Sequence, residues 1–233
     1  MNGNGTGGAM RWLAILIGIG AVAQPYAPVS RGVRVAGRIS ILEKDGKPAP
    51  DIGSAVVYLE GGTAGAAAPG TFEIATSEKE FVPRVVVVPV GSTVNFPNHD
   101  PFDHNVFSVS EGNPFDLGKY GRGKIKGHTF VKPGLARMFC NIHPKMVSYV
   151  QVMGTRYYTQ PVVDGSFVIE GVLPGHYTLQ VWHERAPRVA EPVDVGAKGV
   201  NDIAIELDAR GYHWVAHKNK KGKKYPPPGH ERY

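Results

Sequence analysis

The sequence predicts an all-β protein built from packed sheets. Residues 33–42 alternate between apolar and polar side chains, and later segments repeat this two-residue period. No stretch of the chain sustains the period of an α-helix. The 30 Gly and 19 Pro residues interrupt the 233-residue chain throughout, which favours short strands joined by turns. Many short strands of this kind are typical of β-sandwiches and barrels.

The individual strands follow from local patterns along the chain. The alternating segment 33–42 is followed by a turn at Asp45-Gly46 and by an apolar run at 55–59. Further strands are predicted at 81–90, 93–96, 105–109, 127–131, 136–139, 147–152, 166–169, 177–182 and 202–207. The Gly- and Ala-rich segment 61–70 is a linker by composition, and it separates two regions of different character.

Composition and charge exclude several classes of protein. With 42% hydrophobic residues the chain can bury a core, so it is neither disordered nor collagen-like. A single Cys excludes a disulfide framework and any four-Cys zinc or iron–sulfur site within one chain. The net charge of +6 is carried by residues 209–233, which hold seven basic residues and one Glu. A basic tail on a neutral body argues against a nucleic-acid-binding domain, and we expect this tail to be disordered.

The N-terminus predicts export. Arg11 precedes twelve apolar residues that end in the small-residue pattern Ala21-Val22-Ala23, so residues 1–23 are predicted to be a signal peptide. Twelve helical residues reach about 18 Å, which is short of a hydrocarbon core of about 30 Å. We therefore expect a periplasmic or secreted protein without a transmembrane anchor after cleavage; an uncleaved anchor is the alternative. A lone thiol in an oxidising compartment must be buried or bonded.

One short loop carries the most specific chemical signal. Cys140, His143 and Met146 offer a thiolate, an imidazole and a thioether directly after a predicted strand. These ligands suit a trigonal copper site with a long axial bond, which needs a second imidazole from elsewhere in the chain. His104 is the upstream candidate because it lies next to a predicted strand, and His99 in the same loop is its competitor.

These residues resemble the cupredoxins, the small blue copper proteins. The resemblance covers about residues 70–153 and includes the segment 85–96, the pair His104-Asn105 and the C-x-x-H-x-x-M loop at 140–146. Five residues separate the Cys and the Met of this loop, as in amicyanin. The resemblance implies a Greek-key β-sandwich over 71–153 that binds one type 1 copper ion.

The resemblance also implies a role for each site residue. Cys140, His143 and His104 would be the equatorial copper ligands, and Met146 would be the axial ligand. Asn105 would hydrogen-bond across the two ligand loops and hold the thiolate.

Two neighbours complete the implied site. Phe139 points away from Cys140 on its strand and would lie where a redox partner docks. His143, beside Pro144, would stand on the exposed rim and carry the electron in and out.

Segments on either side of this region resemble a second family. The hairpin at 35–59 and the segment 164–183 resemble the opening and closing strands of the carboxypeptidase regulatory-like, or transthyretin-like, β-sandwich. Residues 30–62 and 155–208 are thus predicted to form one discontinuous sandwich, with 71–153 inserted. Two separate small β units in tandem are the alternative.

The sequence therefore predicts an exported blue copper protein that passes single electrons between periplasmic partners such as a c-type cytochrome or a dehydrogenase. Such a carrier performs no bond chemistry, so we expect that the protein is not an enzyme. In multicopper oxidases and nitrite reductases, His residues flank the copper-binding Cys, whereas Phe139 and Asn141 flank Cys140 here. Seven basic residues against one Asp between 115 and 145 form either a solvated face or a docking surface for an acidic partner.

Three alternatives remain at this point. A copper-delivery protein would hold the metal without redox cycling, and a structural module would bury Cys140 as an apolar residue. A cysteine nucleophile paired with His143 is the third, but Met146 and the lack of an oxyanion-type Gly cluster favour copper.

Overall fold

The computed structural model describes Met1 and residues 32–62 and 64–225. The predicted signal peptide 1–23 lies outside this part apart from Met1, as does 226–233 at the end of the tail. Within the described part there is no helix of the length and apolar character needed to cross a membrane.

Seventeen strands and a single 3-10 turn, Ile52–Ser54, make up the regular structure of the described residues, which confirms the predicted all-β fold. The strands are β1 (Val33–Leu42), β2 (Val56–Glu60), β3 (Thr71–Glu73), β4 (Ala75–Ser77), β5 (Glu80–Val82), β6 (Val85–Pro89), β7 (Thr93–Pro97), β8 (His104–Ser108), β9 (Phe115–Tyr120), β10 (Ile125–Thr129), β11 (Gly134–Cys140), β12 (Val147–Met153), β13 (Tyr158–Thr159), β14 (Ser166–Val172), β15 (Gly175–His183), β16 (Ala186–Val195) and β17 (Val200–Asp208).

Strands from the two ends of the described chain pair with each other. β1 lies between β14 and β17, and a second sheet has the order β13-β2-β15-β16. Apolar side chains from both sheets, among them Ile39, Leu59 and Leu179, form one buried cluster between them. The alternating pattern of β1 supplies this cluster because every second side chain faces the same side of a strand.

The intervening strands form a second pair of sheets. One has the order β10-β7-β3, the other has the order β6-β12-β11-β8-β9, and β4 and β5 form a separate hairpin. Their core cluster includes Phe96, Phe130 and Met138, together with Cys140 and Met146. Two of the predicted ligand residues therefore lie inside the core of this central sandwich.

A third apolar cluster joins the two sandwiches. It contains Val56, Tyr58 and Trp182 of the outer sandwich and Val85 and Val87 of the central one. Strands with both faces covered are apolar at consecutive positions. This explains why β2 and β6 are runs of buried residues rather than alternating ones.

Candidate metal centre

The strands that carry the predicted ligands meet at one end of the five-stranded sheet. β8 and β11 are antiparallel neighbours, with Cys140 opposite Val106. His104 is the first residue of β8 and Cys140 is the last residue of β11, so both side chains arise at the same edge of the central sandwich.

The loop between β11 and β12 is closed by its own backbone. The N–H of Cys140 donates to the carbonyl of Met146 at 3.3 Å, and the N–H of Met146 donates to the carbonyl of His143 at 3.1 Å. The amide of Ile142 lies 3.5 Å from the Cys140 sulfur and donates to it. This tight loop turns His143 back toward the thiol.

His104, Cys140 and His143 converge on one point. The Cys140 Sγ is 3.7 Å from the Nδ1 of His104 and 3.7 Å from the Nδ1 of His143. The three donor atoms lie within 4.8 Å of one another, and the residues are 0%, 0% and 4% exposed.

These distances fit a trigonal metal ion. Zinc, for example, lies about 2.3 Å from a thiolate sulfur and about 2.0 Å from an imidazole nitrogen. If two such bonds meet at about 120°, the sulfur and the nitrogen are about 3.7 Å apart. A donor set of one thiolate and two imidazoles in this arrangement is that of a blue copper site.

The other predicted residues lie around this cluster. Met146 is 1% exposed and belongs to the same core cluster as Cys140. Pro144 follows His143 at the edge of the site and is half-buried. His99 is exposed and lies outside the cluster, so of the two competing imidazoles the structure brings His104 to the thiol.

The surroundings of His143 differ from the expected exposed rim. Its side chain is buried, and the ring of Phe102 lies against it with 5.4 Å between ring centroids. The Lys79 ammonium group in turn lies 5.2 Å from the centre of the Phe102 ring. The prediction of an exposed His143 is wrong because Phe102, from the loop that precedes β8, covers its ring.

Asn105 makes a different contact from the one expected. Its side-chain amide donates to a carboxylate oxygen of Asp116 on β9 at 2.7 Å, rather than to the loop that carries Cys140. Its backbone amide faces the thiol and acts to lower the pKa of Cys140. Asn105 thus connects the thiol to β9.

Asp100 is a site residue that the sequence analysis missed. Its carboxylate lies 2.7 Å from the Nε2 of His104 and accepts backbone N–H bonds from Glu78 at 2.7 Å and Lys79 at 3.0 Å. An N–H at Nε2 of His104 leaves the Nδ1 lone pair directed at the metal position. The four-residue spacing to His104 was the available sequence signal.

Burial shifts the pKa values of two predicted ligands toward their neutral forms. Burial raises the pKa of the Cys140 thiol, although the backbone amides of Asn105, Ile142 and His143 oppose the shift. Burial lowers the pKa of His104, although Asp100 acts in the opposite direction. The lowered pKa favours the neutral imidazole. A bound metal ion would compensate the buried thiolate, and a neutral imidazole is the form that binds metal.

The basic tail also differs from the expectation, because its described part makes specific contacts at this end of the sandwich. The ring of His217 stacks on Phe139 with 4.4 Å between centroids. The Tyr225 hydroxyl donates to the carbonyl of Cys140 at 2.7 Å, and the backbone N–H of Lys220 donates to Asn141 at 3.0 Å. The aromatic residues among the lysines were the sequence signal for this packing.

Comparison with known proteins supplies only partial likenesses. No family model and no curated protein sequence matches the chain. Solved structures with a similar region include cupredoxins. The purple cupredoxin from Nitrosopumilus maritimus is 26% identical, with 35% of this chain and 99% of that chain covered and a TM-score of 0.32. The amicyanin from Paracoccus versutus is 22% identical, with 36% and 81% covered and a TM-score of 0.34.

A further similar structure corrects one prediction. The copper-containing nitrite reductase from Thermus scotoductus SA-01 is 31% identical, with 41% of this chain covered and a TM-score of 0.35. This chain spans 25% of the length of that protein. The prediction that the protein is not an enzyme is contradicted, because this solved structure with a similar region is an enzyme.

Proposed function

We propose that the protein binds one copper ion through His104, Cys140 and His143, with Met146 as the weak axial ligand, and that it transfers single electrons. The observation that carries this proposal is the buried thiol with two imidazole Nδ1 atoms at 3.7 Å. Bound copper would supply a one-electron redox couple, Cu(II)/Cu(I).

The residues of this chain supply a fixed geometry for both oxidation states. Asp100 holds one imidazole through its Nε2, and the closed loop of Cys140 holds the other. The packed core around Cys140 and Met146 keeps water away and prevents the donor atoms from rearranging when the charge changes.

The burial of the donors favours electron transfer over copper delivery. Metal transfer to another protein requires an incoming ligand to reach the ion, whereas an electron crosses the shell of side chains. Cys140, His104 and His143 are all at most 4% exposed. We expect a chelator to remove copper slowly from the native protein; rapid removal would favour the delivery function.

We further propose that the protein is exported to the periplasm and exchanges electrons there with a protein such as a c-type cytochrome or a dehydrogenase. Basic side chains around the central sandwich suit a partner with an acidic docking surface. The exposed ones are Lys119, Arg122, Lys124, Lys132, Arg137 and Lys145.

The proposed domain limits are 71–153 for the copper domain and 30–62 with 155–208 for a regulatory-like sandwich. The pairing of β1 with β14 and β17, and of β2 with β13 and β15, supports a discontinuous outer domain. The tail comprises 209–233.

An absorption and EPR spectrum of the full chain with one equivalent of Cu(II) tests the copper site. We expect an intense visible charge-transfer band and a narrow copper hyperfine splitting, both lost in Cys140→Ser. His104→Ala should also abolish them, whereas its matched control His99→Ala should leave them unchanged. A pale Cu(II) spectrum that is insensitive to Cys140→Ser would contradict the proposal.

A further inference from the structure

The described part of the C-terminal tail lies across the metal-binding end of the central sandwich. Residues 212–225 follow β17 of the outer sandwich, yet they contact Cys140 and the residues on either side of it, Phe139 and Asn141. A fully solvated segment would not make these contacts with the folded domain. Three anchors hold this segment, and they are made by Tyr225, Lys220 and His217.

The first anchor acts on the thiol-bearing residue itself. The Tyr225 hydroxyl donates to the Cys140 carbonyl at 2.7 Å, across 85 residues of sequence. The N–H of Cys140 is already bonded to the carbonyl of Met146. With both backbone polar groups of Cys140 paired, the peptide that carries the thiol is fixed from two sides.

The second anchor connects the tail directly to the end of β11, and to β8 through Asp116 of β9. The backbone N–H of Lys220 donates to the side-chain carbonyl of Asn141, next to Cys140. The Lys220 ammonium group pairs with Asp116 at 2.6 Å, and Asp116 accepts the side-chain N–H of Asn105, next to His104. Lys220 therefore links the end of β11 to Asp116 on β9, and Asp116 in turn holds Asn105 at the start of β8.

The third anchor is the aromatic stack of His217 on Phe139. The ring planes are inclined by 29° and the ring centroids are 4.4 Å apart. Because of this stack, the chain's own tail covers one face of Phe139, the residue directly before Cys140.

We propose that residues 212–225 form a strap that positions the metal centre, with Tyr225 and Lys220 as positioning residues. The strap holds the strand ends that carry His104 and Cys140 at the separation that the metal requires. This inference rests on the proposed function, since it assumes that these residues bind copper. Residues outside the ligand set that orient ligands typically change metal affinity by about 10–100-fold when removed.

Single substitutions in the copper-loaded full chain test the strap. Tyr225→Phe removes only the hydroxyl, and Lys220→Ala removes the ion pair with Asp116. We expect each to shift the charge-transfer band and to raise the rate of copper loss to a chelator, by about 10-fold for Tyr225→Phe. Lys221→Ala, which removes an equal charge one residue away, is the matched control and should behave as the wild type.

Two truncations extend the test. Removal of residues 212–233 should raise the rate of copper loss by about 100-fold, whereas removal of 226–233 should leave it unchanged because all three anchors remain. Thermal unfolding of the apo proteins shows whether each variant folds.

The outcomes separate this inference from the proposed function. A wild-type protein without an intense charge-transfer band would overturn the proposed function and the strap with it. If the wild type has the band but Tyr225→Phe and Lys220→Ala match it in band position and copper release, the strap is overturned and the copper site stands. The same holds if only the long truncation has an effect.

Discussion

At the scale of single residues, Asp100 shows how a side chain outside the donor set shapes the centre. A carboxylate at Nε2 of His104 fixes the tautomer and the ring orientation, and it makes Nδ1 a stronger donor. Burial raises the pKa of Asp100, but the Lys79 N–H and the hydrogen bond to His104 outweigh this effect and lower it. Asp100 therefore stays ionised beside the imidazole.

Asp100→Asn should weaken copper binding by about 10-fold, because the amide is a poorer acceptor for the Nε2–H of His104 and carries no charge. Competition with a chelator of known affinity measures the change. Asp103→Asn is the matched control, since Asp103 also acts electrostatically on His104 but is 46% exposed and is paired with Lys119 at 3.9 Å rather than with the imidazole. Equal affinities for Asp100→Asn and the wild type would show that the hydrogen bond does not support the metal site.

At the scale of elements, the β4–β5 hairpin supports the site through its turn. Glu78 and Lys79 join the two strands with φ values of 55° and 60°, as a type I′ turn requires at both positions. Their N–H groups converge on the Asp100 carboxylate. Residues with a Cβ enter this left-handed region at a cost of about 1 kcal/mol or more, which the two charge-assisted hydrogen bonds offset.

Glu78→Asn should stabilise the protein by about 0.5–1 kcal/mol, because Asn adopts the left-handed conformation more readily than Glu. The backbone N–H that bonds to Asp100 is retained, so copper affinity should stay the same. Chemical denaturation of the apo protein measures the free energy of unfolding. The control Glu80→Asn, two residues further on in β5, should not stabilise the protein, since Asn is unfavourable in a strand. A higher free energy of unfolding for Glu80→Asn, or an unchanged one for Glu78→Asn, would contradict the turn argument.

The elements also show which parts of the structure the sequence reveals. β1 and β7 were predicted because their patterns are local, and so was the loop from Cys140 to Met146. β9 and β16 were not predicted from the sequence. Both are edge strands, which need few apolar side chains, and β16 contains two prolines that an edge strand tolerates. Tyr225 was missed as a site residue because its role depends on a contact with Cys140, 85 residues away, whereas Asp100 was missed although its four-residue spacing from His104 was a local signal.

At the scale of the whole molecule, the two sandwiches share an apolar interface. Trp182 on β15 packs there with its ring 5.3 Å from that of Tyr149 on β12. Beside this cluster, Arg84 pairs with Glu184 at 2.8 Å, and Glu184 is 6% exposed. The free energy of this interface is lost when either sandwich unfolds, so the two sandwiches should unfold together.

Calorimetry of the apo protein with Trp182→Ala tests this coupling. The wild type should show one transition, and the variant should lose about 3–5 kcal/mol and separate into two transitions, because the cavity lies between the sandwiches. Leu179→Ala, on the same strand but in the core of the outer sandwich, should lower the melting temperature while keeping one transition, since the interface is intact. Two transitions in the wild type would contradict the coupling, because each sandwich would then be stable alone. The buried residues of β2 and β6 would in that case pack the sandwiches together without making their unfolding cooperative.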